Sequence, residues 1–294
     1  MESMDDWIKA GQIAGKVREY SKKIVKPGAK VLDIVNELEN KIIELGGGIA
    51  FPLNLSINER AAHDTATNGD ERVITEDDVV KVDVGAHVNG AIGDTATTII
   101  FKDEYKDLQK ASESALREAI KAMRPGTRLG EIGEIIESTI KSFGFNPIRN
   151  LTGHGLRRYE VHTEPEILNF KNDSDYEFQD GQIIAIEPFA TDGRGLVREI
   201  TETKIYMFIR NVPTRSRQER EILKLAEKDY HSLPFSKRWL PRMVGRDLIL
   251  DRLVNMGGLY AFPVLVEVSS GRVAQFEHTM IVGDKTRVTT EVEE

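Results

Sequence analysis

The chain has 294 residues, of which 40% are hydrophobic and 30% are charged, so it is long enough to bury a sizeable core. It contains no run of about 18 apolar residues, and its acidic start, MESMDDWIKA, is unlike a signal peptide, so we expect a cytoplasmic protein without a membrane anchor. The absence of cysteine excludes disulfides and thiolate metal sites, and the formal net charge of −8 argues against a general nucleic-acid binder.

The first half of the chain begins with two predicted helices. Apolar residues recur at helical spacing over residues 4–24, and Pro27-Gly28 ends this pattern. A second helix is predicted over residues 31–45, where a run of three glycines beginning at Gly46 stops it.

The stretch KVDVGAHVNGAIGDTAT predicts a β-hairpin. Asn89-Gly90 is a strong turn signal, because both central positions of a type I′ turn need positive φ. In the register that this turn sets, Asp83 faces Ala96 and lies on the same face of the ribbon as Asp94. Diagonal neighbours of this kind have Cβ atoms roughly 7 Å apart, so the two carboxylates can share cations.

The helix pattern of the first half recurs at a constant offset of 98 residues. Residues 124–128 resemble residues 26–30, and each segment opens a helix that a glycine ends. Each half then continues through a histidine, His63 or His162, toward an apolar strand that carries one acidic residue. We therefore expect two duplicated halves.

In the second half the predicted strand GQIIAIEPF carries Glu187, and VAQFEHTMIV is expected to be a return strand that carries Glu277. Residues 211–262 between them are predicted to form a helical insertion. The segment 210–252 has 11 Lys and Arg against six Asp and Glu. A basic segment of this kind is typical of a solvated helical face, and a docking surface for the ribosome or its RNA is the alternative.

One further candidate ligand is His154, which lies between Gly153 and Gly155. With the four acidic residues it forms an oxygen-rich set with one imidazole, which suits Mn²⁺, Fe²⁺, Co²⁺ or Zn²⁺. Four carboxylates balance two dications, and paired ions can activate a water and polarise a scissile carbonyl. The pattern indicates metal-assisted hydrolysis, with the candidate metal ligands Asp83, Asp94, His154, Glu187 and Glu277.

Six motifs carry a family resemblance: SINERAAHDTA, VDVGAHVNGAIGDTATT, LTGHG, VHTEP, IAIEPFA and FEHT. They resemble the methionine aminopeptidases of the pita-bread fold, and the insertion with LPFSKRWL resembles the one that marks the type 2 class. The resemblance implies an α+β fold with a pseudo-twofold antiparallel sheet and flanking helix pairs. It implies one catalytic domain over residues 1–294, with the helical insertion at residues 211–262 inside it.

The resemblance also implies roles for individual residues. The five candidate ligands would hold two divalent ions (Co, Mn, Fe(II) or Zn), and Glu187 would in addition act as general base. His162 would hydrogen-bond the developing oxyanion, and His63 would contact the peptide beyond the scissile bond. The substrates implied are newly made polypeptides with a free N-terminal methionine before a small residue, cleaved by a monomer. The methionine pocket would be walled by Phe51, Val161 and Phe262.

Two other interpretations stay open. An Xaa-Pro aminopeptidase or prolidase of the same fold would carry the same ligands, although such enzymes usually have a sizeable N-terminal domain, and only about 25 residues precede the first Pro-Gly here. A non-catalytic pita-bread module could instead bind RNA or a protein partner through the basic segment. We would expect such a module to lose metal ligands, whereas this chain keeps all five.

Overall fold

The computed structural model describes residues 4–292, which form a mixed arrangement of helices and antiparallel strands. A short 3₁₀ turn lies at Asp103–Tyr105 and a π-helical turn at Ala226–Tyr230. The helices are α1 (Asp5–Ile24), α2 (Val31–Glu44), α3 (Lys106–Ala122), α4 (Leu129–Ser142), α5 (Arg217–Leu225) and α6 (Arg246–Asn255). The strands are β1 (Gly48–Ile49), β2 (Asn54–Ile57), β3 (Arg60–Ala62), β4 (Val79–Val88), β5 (Ala91–Ile100), β6 (Asn146–Pro147), β7 (Thr152–Arg157), β8 (Glu160–Leu168), β9 (Ile183–Ile186), β10 (Phe189–Thr191), β11 (Val197–Phe208), β12 (Phe235–Ser236), β13 (Leu259–Glu267), β14 (Val273–Gln275), β15 (His278–Ile281) and β16 (Arg287–Val288).

Strands β4 and β5 form the predicted hairpin. Asn89 and Gly90 both have positive φ, 50° and 83°, as a type I′ turn requires. The register pairs Asp83 with Ala96, so the predicted alignment of the two aspartates is confirmed. Helix α1 packs across both strands and covers the face of the sheet opposite the cleft described below.

The two helix pairs, α1 with α2 and α3 with α4, are anchored in the same way. The Gly28 N–H donates to the Ile74 carbonyl over 2.8 Å, and the Gly126 N–H donates to the Phe178 carbonyl over 2.9 Å. These glycines lie 98 residues apart and both have positive φ, so each entry into the second helix of a pair is the same turn. The predicted duplication and pseudo-twofold fold are confirmed.

Each half has its own apolar core beneath its helix pair. One cluster, under α1 and α2, includes Leu38 and Val82, and the other, under α3 and α4, includes Ile136 and Ile184. Within residues 4–292, none of the helices is both long and apolar enough to cross a bilayer.

Every strand pairing in the described part of the chain is antiparallel. The sequence predicts continuous strands through Glu187 and Glu277, and this prediction is wrong at both residues. Strand β9 pairs with β15 and β10 pairs with β14 in one register, but between these pairs the Glu277 main chain exchanges both of its hydrogen bonds with Ala96 on β5. Pro188 has no N–H to continue the ladder. Both acidic residues therefore lie at paired breaks in the sheet.

The predicted helical insertion is shorter than residues 211–262. Its helices are α5 and α6, and β13 begins at Leu259, so Phe262 belongs to the sheet. The reason is that Leu259 pairs directly with Phe208 at the end of β11, so the chain leaves and re-enters the sheet at adjacent positions. The insertion docks on α2 through Arg238, whose guanidinium lies 2.7 Å from the Glu39 carboxylate.

Candidate metal centre and substrate cleft

A cavity of about 250 Å³ lies where the two halves meet. All the residues that the sequence singles out for the site line this one cavity, and none of them lies elsewhere. The predicted ligands on its wall are Asp83, Asp94, His154, Glu187 and Glu277. The other predicted residues on its wall are Phe51, His63, Val161, His162 and Phe262.

Three of the predicted ligands form the tightest group. Donor atoms of Asp94, His154 and Glu277 all lie within 4.8 Å of one another, and the three residues are buried. His154 Nε2 is 3.7 Å from Asp94 Oδ2 and 3.5 Å from Glu187 Oε1. Asp83 lines the same cavity from β4, beside Asp94 on β5. The carboxylates of two separate sheet breaks and of one hairpin thus converge on one imidazole.

The glycines on either side of His154 allow β7 to pack closely against its neighbours. A Cβ at residue 153 would lie 2.6 Å from the Ala185 carbonyl oxygen, and a Cβ at residue 155 would lie 2.2 Å from the Glu164 carbonyl oxygen. Such distances are far inside van der Waals contact, so only glycine fits at both positions. This close packing brings the histidine over the carboxylates.

The orientation of the His154 ring suits a ligand. Its Nδ1 lies 3.2 Å from the Gly155 carbonyl oxygen, so Nδ1–H donates there and the Nε2 lone pair faces Asp94 and Glu187. Burial lowers the pKa of His154 to about 3, so the imidazole is neutral near pH 7. A neutral imidazole held by its second nitrogen is the usual form of a metal-ligating histidine.

Bringing these four carboxylates together away from water is electrostatically unfavourable. Burial raises the pKa of Asp83 to about 7, and burial together with the neighbouring carboxylates raises the pKa of Asp94, Glu187 and Glu277 well above their ordinary range. Among the described residues, Asp83 Oδ1 and Asp94 Oδ1 are buried without a hydrogen-bond partner. Uncompensated buried oxygens of one charge sign fit divalent cations, which would satisfy them.

The two other predicted histidines, His63 and His162, line the same cavity. The ring centroids of His162 and His154 are 4.5 Å apart, and those of His63 and Phe262 are 5.4 Å apart. His63 Nδ1 faces the Pro263 carbonyl oxygen at 3.2 Å. Burial lowers the pKa of His162, and it lowers the pKa of His63 to about 4. Both rings are therefore neutral donors or acceptors toward the cavity.

The apolar wall is formed in part by Phe51, whose ring packs directly over Gly85. A Cβ at residue 85 would lie 2.2 Å from this ring, so the glycine on β4 makes room for it. The sequence does not point to two further wall residues, Pro234 from the insertion and Tyr260 from β13. The position of Pro234 depends on how the insertion docks and that of Tyr260 on the pairing of β13 with β11, and no local pattern records either.

Gln275 is a further residue of the site to which the sequence motifs do not point. Its Nε2 lies 3.4 Å from Glu187 Oε2, so the amide supports a predicted ligand. Gln275 stands two residues before Glu277, at the spacing that places strand residues on one face. That alternation is the signal that could have identified it.

Comparisons with known proteins agree with this geometry. The profile described as metallopeptidase family M24 matches residues 6–284. A methionine aminopeptidase of Thermococcus onnurineus is 46% identical over 286 residues, which cover 96% of this chain and 97% of that protein.

Two solved structures share the fold. A thermophilic Arx1 has a TM-score of 0.87 at 18% identity and covers 99% of this chain and 91% of its own. The prolidase from Pyrococcus furiosus has a TM-score of 0.65 at 17% identity and covers 100% of this chain but 65% of its own. Identities this low show the fold alone, whereas the profile spans every predicted ligand. The chain belongs to metallopeptidase family M24.

Proposed function

We propose that the protein is a methionyl aminopeptidase, a metal-dependent peptide hydrolase that removes the N-terminal methionine from newly made polypeptides when the next residue is small. One observation carries the proposal: four carboxylates, two of them buried and two partly buried, and one neutral imidazole converge on a cavity with an apolar wall. The 46% identity to a methionine aminopeptidase over nearly the whole chain supports the substrate assignment.

In the proposed mechanism, the five ligands would hold two divalent ions, drawn from Co²⁺, Mn²⁺, Fe²⁺ and Zn²⁺. Bound dications supply Lewis acidity and lower the pKa of water. Glu187, whose carboxylate lines the cavity, also accepts a proton from the attacking water as general base in this proposal. The ligand role of Glu187 and its role as base use the same carboxylate.

His162 and His63 act on the substrate in this proposal. The neutral His162 ring donates a hydrogen bond to the oxyanion that develops on the scissile carbonyl, and its low pKa keeps a neutral donor in place near pH 7. His63 contacts the peptide beyond the scissile bond. The methionine side chain lies against Phe51, Val161 and Phe262, because an apolar pocket favours an unbranched thioether.

We also propose the finer class and setting. The position of LPFSKRWL within residues 211–262 supports a type 2 enzyme, with the part of this segment before β13 as a peripheral subdomain. The basic segment 210–252 would contact the ribosome, where newly made chains emerge, which implies a cytoplasmic enzyme that acts as a monomer. The exposed side chains of Val244 and Leu248 in this segment offer an apolar contact beside its arginines.

The experiment compares three peptides with the metal-loaded protein. Met-Ala-Ser should be cleaved, acetyl-Met-Ala-Ser should resist because its amine is blocked, and an Xaa-Pro dipeptide should be cleaved far more slowly. Preferential cleavage of the Xaa-Pro dipeptide would instead identify a prolidase. Failure to cleave any of the three, in protein shown to contain metal, would favour a non-catalytic module.

A further inference from the structure

Two threonine hydroxyls take the place of main-chain hydrogen bonds where the two halves of the sheet meet. At the centre of this contact, Ala96 on β5 and Glu277 between β14 and β15 exchange both main-chain hydrogen bonds, over 3.3 and 3.1 Å. Two residues away on either side, a side-chain hydroxyl joins the strands instead.

The first hydroxyl belongs to Thr279 and forms two hydrogen bonds with the main chain of Asp94. The Asp94 N–H donates to Thr279 Oγ1 over 2.8 Å, and the same hydroxyl donates to the Asp94 carbonyl over 2.8 Å. The second belongs to Thr98. The Gln275 N–H donates to Thr98 Oγ1 over 2.8 Å, and this hydroxyl donates to the Gln275 carbonyl over 2.7 Å. We call each hydroxyl with its two main-chain hydrogen bonds a threonine clasp. The two clasps lie symmetrically on either side of the Ala96 contact, and each half of the chain contributes one.

A hydroxyl suits this task because one oxygen atom both donates and accepts. Each clasp satisfies a buried N–H and a buried carbonyl of the opposite residue, which would otherwise lose their partners. Thr279 is fully buried, with 0% of its surface exposed, so water does not compete for these bonds. The clasp therefore fixes the distance from β15 to the main chain of Asp94.

We infer that Thr279 is a positioning residue that sets the spacing between Asp94 and Glu277, two proposed metal ligands from different halves of the chain. Thr98 plays the corresponding part for Gln275, whose amide reaches Glu187. This role rests on the proposed metal site. It adds to that site the hydrogen bonds that keep the ligands from the two halves of the chain at a fixed spacing. Neither Thr98 nor Thr279 lines the cavity.

The test uses Thr279→Val, which keeps the shape of the side chain and removes its hydroxyl, and Thr279→Ser, which keeps the hydroxyl. Thr97→Val is the matched control. Thr97 is a buried threonine that lies next to Thr98 on β5, and its hydroxyl makes no hydrogen bond to any residue between 4 and 292. Each protein is stripped with a chelator, titrated with Mn²⁺ by calorimetry, and loaded with Co²⁺ for its visible spectrum.

Thr279→Val should weaken Mn²⁺ binding by about 10–100-fold, the usual cost of removing a residue that orients a ligand, and should alter the Co²⁺ spectrum. Thr279→Ser should restore both, and Thr97→Val should match the unmodified protein. If Thr279→Val does not fold, Thr279→Ala takes its place, since it does not force a methyl group against the two main-chain groups.

Asp94→Asn separates the two levels of the proposal. Unchanged Mn²⁺ affinity and spectrum in folded Thr279→Val, with defective binding in Asp94→Asn, would overturn the positioning role and leave the metal site intact. Normal binding in Asp94→Asn itself would overturn the ligand assignment on which the inference rests.

Discussion

Asp94 and His162 border the same cleft, yet their surroundings suit them to different tasks. Asp94 has a buried oxygen without a hydrogen-bond partner among residues 4–292 and lies within reach of His154 and Glu277. His162 is a neutral ring that packs edge-on against His154 and keeps an accessible surface in the cavity. The first residue needs a cation, and the second can donate to a substrate.

Replacing Asp94 with Asn should therefore lower metal content itself. A neutral amide attracts a dication less strongly than a carboxylate does and leaves the charge of the remaining ligands unbalanced. Metal analysis after dialysis should show fewer than two bound ions, and the loss of activity should follow the loss of occupancy. Full metal content in the variant would show that Asp94 is not a ligand.

His162→Ala should retain both metals and lose roughly 10²–10³-fold in kcat, the usual cost of removing one oxyanion donor. The KM should change much less, because a contact made chiefly in the transition state contributes little to substrate binding. Metal analysis, a melting curve and steady-state kinetics check this expectation. A variant that melts early but turns over normally would show that His162 is a structural residue.

The loops that join β10 to β11 and β13 to β14 are held together by Glu267. This buried carboxylate accepts hydrogen bonds from the N–H of Arg194 over 2.6 Å, from the N–H and hydroxyl of Ser269 over 2.7 Å each, and from the Gly271 N–H over 3.0 Å. Burial opposes its ionisation, but these donors outweigh burial and lower the pKa of Glu267.

Glu267→Gln should lower the free energy of unfolding at pH 7 by about 2 kcal/mol, because hydrogen bonds to a charged acceptor become bonds to a neutral one. A lowered pKa in the folded state adds stability above the unfolded pKa of about 4.3, and this contribution is lost as the pH falls through the folded value. Urea unfolding should thus show the two proteins converging below about pH 4. Glu118→Gln, at a half-exposed surface ion pair, is the matched control and should have little effect at either pH.

The insertion leaves the sheet between residues that pair directly, Phe208 and Leu259. Replacing residues 210–257 with a short Gly-Ser turn should therefore leave metal binding intact in protein shown by circular dichroism to be folded. The KM should rise, because the deletion removes Pro234 from the cleft wall. Loss of bound metal in the folded deletion protein would contradict the assignment of all ligands to the two halves.

Elements with a local cause were predictable from the sequence. The Asn89-Gly90 turn set the hairpin register, and alternation along the hairpin then placed Asp83 and Asp94 together. The breaks at Glu187 and Glu277 were not predictable, because both sequences alternate as strands do and the Glu277 main chain bonds instead to Ala96, a residue distant in sequence. The predicted end of the insertion was wrong for a similar reason, because Leu259 pairs with Phe208, which is distant in sequence.

Over the whole molecule, the site belongs to neither half alone. The first half provides two carboxylates on one hairpin, and the second provides His154 and the acids at the two breaks. The offset of 98 residues reveals this duplication, because both copies keep the same turn and helix signals. The threonine clasps leave no such signal, since each joins residues about 180 positions apart through a single hydroxyl.

Titration of the metal-stripped protein with Mn²⁺, with bound metal and hydrolysis of Met-Ala-Ser followed together, tests metal-dependent hydrolysis at this shared site. Protein verified to be metal-free should not turn over, and activity should rise with occupancy and level off when two ions per chain are bound. Full turnover in metal-free protein would contradict the proposed mechanism.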